Sequence, residues 1–137
     1  ENFLQEKYSS HPQIHLLGKI FGRKKDEIIG ASDVVVVPSI CPEVFGIVIA
    51  EAYTWGKPVI ASRIGGIPEI VQDEKTGFII ESSNPKSLEK AISQIAENKI
   101  ILEKLRENCF QAAYQYTLKS SIQNYIHLYQ KLLNNLL

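Results

Sequence analysis

Two glutamates, Glu43 and Glu51, stand eight positions apart in the stretch "PEVFGIVIAEAYTWG", residues 42–56. From Phe45 to Trp55 the segment is apolar apart from Glu51, Thr54 and the small Gly46. A carboxylate is almost never buried unpaired, because its desolvation costs several kcal/mol. A solvated helical face would need polar companions around Glu51, and Ile47, Val48 and Tyr53 do not supply them. Glu51 therefore calls for a structural partner or a ligand.

Gly46 stands where a helix should begin after the loop "ICPEVFG", which Pro38 and Pro42 stiffen. Only glycine lets a ligand approach the backbone closely there. The free amides of residues 46–48 and the positive helix end make an anion site suited to phosphate. With the helix starting at Gly46, Glu51 lies about 7 Å along it. Its side chain leans back toward the N-terminus. A carboxylate so placed repels a diphosphate unless a neutral group intervenes, and the vicinal diol of a ribose is such a group. Glu43, on the other side of the anion site, can hold sugar hydroxyls. The pair then measures out ribose, diphosphate and hexose. The sequence has neither G-x-G-x-x-G nor a Walker lysine, so neither a dinucleotide fingerprint nor a P-loop is present.

The elements that must position these groups follow from the apolar pattern. "IHLLG" (14–18), "VVVVPS" (34–39), "PVIAS" (58–62) and "GFII" (77–80) read as strands buried on both faces, as in a parallel sheet. Helical segments over about 24–31, 46–55 and 66–72 alternate with them. This order predicts an α/β fold, a doubly wound parallel sheet with right-handed crossovers. Ligands of such sheets sit outside the carboxyl ends of the strands, where "VVVVPS" ends at Ser39. A helical segment follows. Asn84 is placed to cap its first helix, with Pro85 at the first helical position. A second helix is expected over about 100–115. A third is expected from about 121, with Ser120 and Gln123 at capping-box spacing. Its stripe is Ile122, Tyr125, Ile126, Tyr129, Leu132, Leu133 and Leu136. The division is thus 1–82 for a nucleotide-sugar-binding α/β core and 83–137 for C-terminal helices. The helices carry more apolar surface than four strands can cover, so upstream strands are expected to be missing.

Fifteen basic and fifteen acidic residues among 137 give zero formal net charge. No whole-chain field recruits nucleic acid. No apolar run approaches the roughly 18 residues that span a bilayer, and "ENFLQEKYSS" has no signal-peptide pattern. Cys41 and Cys109 have no metal or redox spacing and read as reduced and buried, in keeping with a cytoplasmic setting. His11, His15 and His127 have no ligand spacing. Arg23, Lys24 and Lys25 read as a solvated run at a helix start, and Gly65 with Gly66 as a tight strand-to-helix turn.

"ASDVVVVPSICPEVFGIVIAEAYTWGKPVIASRIGGIPEIVQDEKTGFII" resembles the donor-binding half of the group 1 (family 4) glycosyltransferases, enzymes of GT-B fold. The E-x7-E motif matches at Glu43 and Glu51. P-S-x-x-x-E-x-F-G, E-A-x-x-x-G-x-P-V and G-G-x-x-E-x-V-x-x-x-x-T-G-F match in order and spacing. The resemblance is strong over about residues 14–82 and loose beyond. It implies a Rossmann-like half of a GT-B fold, lacking its first strands. It also implies that Glu43 contacts the donor sugar as the catalytic candidate. Amides of Phe45, Gly46, Ile47 and Val48 would hold sugar and phosphate, Glu51 the ribose, and the loop around Ile20 the base. Ser39, a strand-end hydrogen-bonder, is counted with the donor-binding residues. No metal and no cofactor are expected, the nucleotide sugar being a co-substrate.

Two family features are absent from the sequence, an N-terminal acceptor-binding domain and an early Gly-Arg…Lys-Gly segment whose cations neutralise the diphosphate. The chain therefore resembles the C-terminal piece of a retaining, metal-independent hexosyltransferase, expected to be inactive alone. Its expected partners are a nucleotide sugar and the missing acceptor domain, with peripheral membrane association through that missing part. The alternatives are a non-catalytic nucleotide-sugar-binding module serving a partner chain, or another GT-B enzyme such as a sugar-nucleotide epimerase or a phosphorylase.

Overall fold

The β-branched runs at 34–39, 58–62 and 77–80 form strands because helices on both sides cover them. In the computed structural model, which describes residues 2–134, β1 (Val35–Val37), β2 (Val59–Ser62) and β3 (Gly77–Ile80) make a parallel sheet in the order β1-β2-β3. Val36 pairs with Ile60, and Ile60 with Phe78. Along β2, side chains alternate between two cores. Val59 and Ala61 face Ile29, Ile49, Ala52, Tyr53 and Cys109, whereas Ile60 faces Ala91, Ile95 and Leu105. The sheet is thus covered on both faces.

α1 (Asn2–Tyr8) and α2 (Gly22–Ala31) precede the sheet; α3 (Ile47–Thr54) and α4 (Ile67–Ile70) link its strands. α5 (Pro85–Glu97), α6 (Lys99–Ala113), a 3-10 turn (Tyr114–Tyr116) and α7 (Leu118–Asn134) follow. Asn84 caps α5, accepting from the Ser87 amide at 3.2 Å, with Pro85 in first position. Asn98, a cap the sequence pattern did not single out, accepts from the amides of Ile100 and Ile101 at 3.1 Å. No helix among the described residues is long and apolar enough to cross a membrane.

Three expectations need correction. The segment at 14–18 is not a strand: Ile14 N–H donates to His11 O in a turn, and Leu16 and Leu17 are 40% and 53% exposed. A strand exists only through its neighbours, and this segment pairs with none among the described residues. α7 begins at Leu118, and the Thr117 hydroxyl, not Ser120, accepts an amide at its start, from Ser120 at 3.2 Å. Cys109 is buried as expected, but Cys41 is exposed in the loop after β1. The α7 stripe from Ile122 to Leu133 is exposed; Leu136 lies outside the described residues.

Candidate donor site

α3 is held by its underside. Ile49, Ala52 and Tyr53 are fully buried, and the Tyr53 hydroxyl lies 2.7 Å from Thr76 Oγ1 and donates to Ile70 O at 3.3 Å. Cys109 Sγ donates to Thr76 O at 3.3 Å, which ties α6 to the same point. Burial pushes the Tyr53 hydroxyl above its ordinary range and the Cys109 thiol up to about 12, because the charged forms would lose solvation. These neutral groups fix the helix and leave its opposite face to chemistry.

That face begins at Gly46, which caps α3 in the left-handed region, φ 68° and ψ 62°. The value suits glycine, and the first amides of a helix have no intrahelical partner of their own. A Cβ on Gly46 would lie 3.2 Å from Glu43 Oε2, so the Glu43 carboxylate stands at the helix start. Ser39 Oγ donates to Glu43 Oε1, and Ser82 Oγ donates to Ser39 O at 3.1 Å. The loop also rests on the β2–α4 turn: Gly66 N–H donates to Glu43 O at 2.7 Å, and a Cβ on Gly65 would lie 2.7 Å from the Glu43 nitrogen. The glycine pair thus does more than permit a turn, since the backbone bearing Glu43 lies against it. Phe45 meets Tyr116 edge-on, with centroids 5.6 Å apart at 74°. Val44 and Ile47 are 96% and 68% exposed, unusual for apolar residues beside a well-packed helix.

Glu51 faces a cleft of about 520 Å³, lined also by Asp26, Phe45, Ile47, Ala50, Thr54, Tyr116 and Ser121. Of the two partners the sequence left open, the structure supplies a cation. Lys25 Nζ of α2 donates to Glu51 Oε1, and both side chains are 32% exposed. The basic run therefore divides. Arg23 stays in solvent, paired with Glu27 at 2.8 Å, while Lys25 turns inward. Lys25 precedes the buried Ile29 by one helical turn, a phase that could have revealed it. Ser39, Glu43, Phe45, Gly46, Ile47, Val48 and Glu51 thus gather around the start and outer face of α3. Ile20 does not line the cleft beside Glu51; it is half-buried in the loop before α2.

The comparisons agree on one family. A model described as glycosyl transferases group 1 matches residues 2–116. An uncharacterized glycosyltransferase of Methanocaldococcus jannaschii is 32% identical over 96% of this chain and 37% of its own length. A D-inositol 3-phosphate glycosyltransferase of Corynebacterium urealyticum is 31% identical over 80% of this chain and 26% of its own. The chain thus spans little more than a third of the relatives' length at most. Among solved structures, sucrose-phosphate synthase from Thermosynechococcus elongatus superposes with a TM-score of 0.81, at 27% identity over 98% of this chain and 34% of that one. Anabaena HepE, in complex with UDP and glucose, gives 0.79 at 26% identity over 95% and 35%. The α/β sheet with its C-terminal helices matches the Rossmann-like C-terminal domain of these GT-B neighbours.

Proposed function

Since the chain belongs to the group 1 glycosyltransferases, we propose that it is the donor-binding part of a retaining, metal-independent enzyme. That enzyme moves a hexose from a nucleoside diphosphate to a glycan or lipid acceptor on the cytoplasmic side of a membrane. The observation that carries the reading is the pair Glu43 and Glu51 flanking the glycine-capped start of α3. The first-turn amides bind the diphosphate, Glu43 takes the sugar hydroxyls and Glu51 the ribose diol. The acceptor hydroxyl attacks the anomeric carbon on the face the diphosphate leaves. The bond from that carbon to the phosphate oxygen breaks, and the departing diphosphate takes the acceptor's proton. In this reading a domain beyond these residues binds the acceptor.

Calorimetry of the chain with ribo- and dideoxyribonucleoside diphosphates tests the ribose assignment. Glu51→Gln should weaken the ribonucleotide by about 1–3 kcal/mol, through loss of charged hydrogen bonds, and leave the melting point near wild type. Equal affinity for both nucleotide forms would remove Glu51 from the ribose.

A further inference from the structure

Lys25 has no place in the reading above, yet its ammonium meets the carboxylate assigned to the ribose. The cleft at that point carries two carboxylates, Asp26 and Glu51. Glu51 sits about 6 Å along α3 from Ile47 by helix rise, within the roughly 8 Å over which charges act at physiological salt. An uncompensated Glu51 carboxylate at that range opposes a diphosphate at the helix start, and Asp26 on the same cleft adds no positive charge to offset it.

We infer that Lys25 is a working part of the donor site: it cancels the Glu51 charge for the incoming diphosphate and holds that carboxylate in position for the ligand. This rests on the nucleotide-sugar reading. Stoichiometry permits it. An ammonium has three donors and a carboxylate about four acceptor positions, so Lys25 and two ribose hydroxyls can share Glu51 at once. Position permits it too. Lys25 is one-third exposed on a helix whose buried Ile29 fixes the rotation, whereas Arg23 is spent on Glu27 in solvent. The ion pair therefore survives ligand arrival, with no exchange of partners.

The test is calorimetry of wild type, Lys25→Met and Lys25→Arg. The ligands are whichever of UDP, GDP and ADP the wild type binds and the matching monophosphate, each at low and high salt. Lys25→Met should lose about ten-fold for the diphosphate at low salt, less for the monophosphate, and show a flatter salt dependence. Lys25→Arg should restore most of the loss, and both variants should melt near wild type. An equal loss for both ligands at both salt concentrations would make Lys25 merely structural and overturn the inference. Tighter binding by Lys25→Met would overturn it by showing that Lys25 competes for Glu51. A wild type that binds none of the three diphosphates sinks the donor-site reading and this inference with it. Binding with a flat response to charge sinks the inference alone.

Discussion

β1 and β2 are built from the same kind of residue and live in different surroundings. All four residues of β2 are buried between two hydrogen-bonded neighbours. β1 has one neighbour among the described residues, and Val36, 39% exposed, borders a cleft of about 590 Å³ walled by Val34, Ile60, Ile92, Ile95 and Leu102. Strand propensity measures the fit to a pleated, half-buried surface, so identical side chains stabilise differently at a centre and at an edge. The site draws on both regions. The Glu43 loop leaves β1 but leans on the turn that follows β2, and α3 hangs from Tyr53, Thr76 and Cys109 on the finished side. Glu51, paired with Lys25, lies on the outer face of α3 and lines a separate cleft of about 520 Å³. Rigidity is concentrated under the site and openness in front of it.

The sharpest way to break this contrast is Gly65→Ala. Gly65 has φ +55°, and its missing Cβ points at the Glu43 backbone. A side chain there pays for a left-handed conformation and must also displace the loop. The expected loss is about 3 kcal/mol, read as a lower urea midpoint at unchanged slope, and nucleotide binding should go with it. A loss below about 1 kcal/mol would show that the loop yields freely and that the finished side is not rigid.

The sheet and its covering were legible because buried parallel strands write themselves as β-branched runs ending in proline, glycine or serine. Asn84 followed by Pro85 was legible because a cap is a local hydrogen bond. "IHLLG" has the same local grammar as the true strands and failed, since a strand is completed by residues distant in sequence. Lys25 was read with its run as solvated because charge alone carries no direction. The rotation of α2, fixed by Ile29, was needed to turn it inward. Cys41 was misplaced because a thiol's usual burial is a residue average, and the loop after β1 is shaped by its prolines and the glycine turn beneath it.

An intermediate effect is expected at the buried end of the same scaffold, as a function of pH. Burial holds the Cys109 thiol protonated up to about 12 in the folded chain, against about 8.5 when unfolded. Between those values the folded state binds more protons, so stability falls as pH rises. Its contribution is fully present below about pH 8.5 and is lost progressively above it. Tyr53, shifted in the same direction, adds to the slope at the alkaline end. Cys109→Ala should cost about 1–2 kcal/mol near neutrality and flatten the fall in melting temperature between about pH 8.5 and 10.5. An unchanged slope would show that the thiol is not the group whose proton is held.

The smallest effect is expected on α7, where the contrast is greatest. Ile122, Tyr125, Tyr129 and Leu132 recur at three- and four-residue steps and are each about half exposed or more, a regular seam with nothing packed along it among the described residues. A large-to-small change in a packed core loses transfer energy and leaves a cavity; on this half-exposed seam it loses only part of the first and leaves no enclosed cavity. Leu132→Ala should therefore change stability by no more than about 0.5 kcal/mol, and alanine's helix propensity offsets part even of that. Melting curves over a range of protein concentrations give the comparison its finest reading. If wild type melts higher as concentration rises and Leu132→Ala does not, the seam is buried between copies in solution. If the two curves coincide at every concentration, α7 contributes only its own helix, and stability resides in the residues around β2.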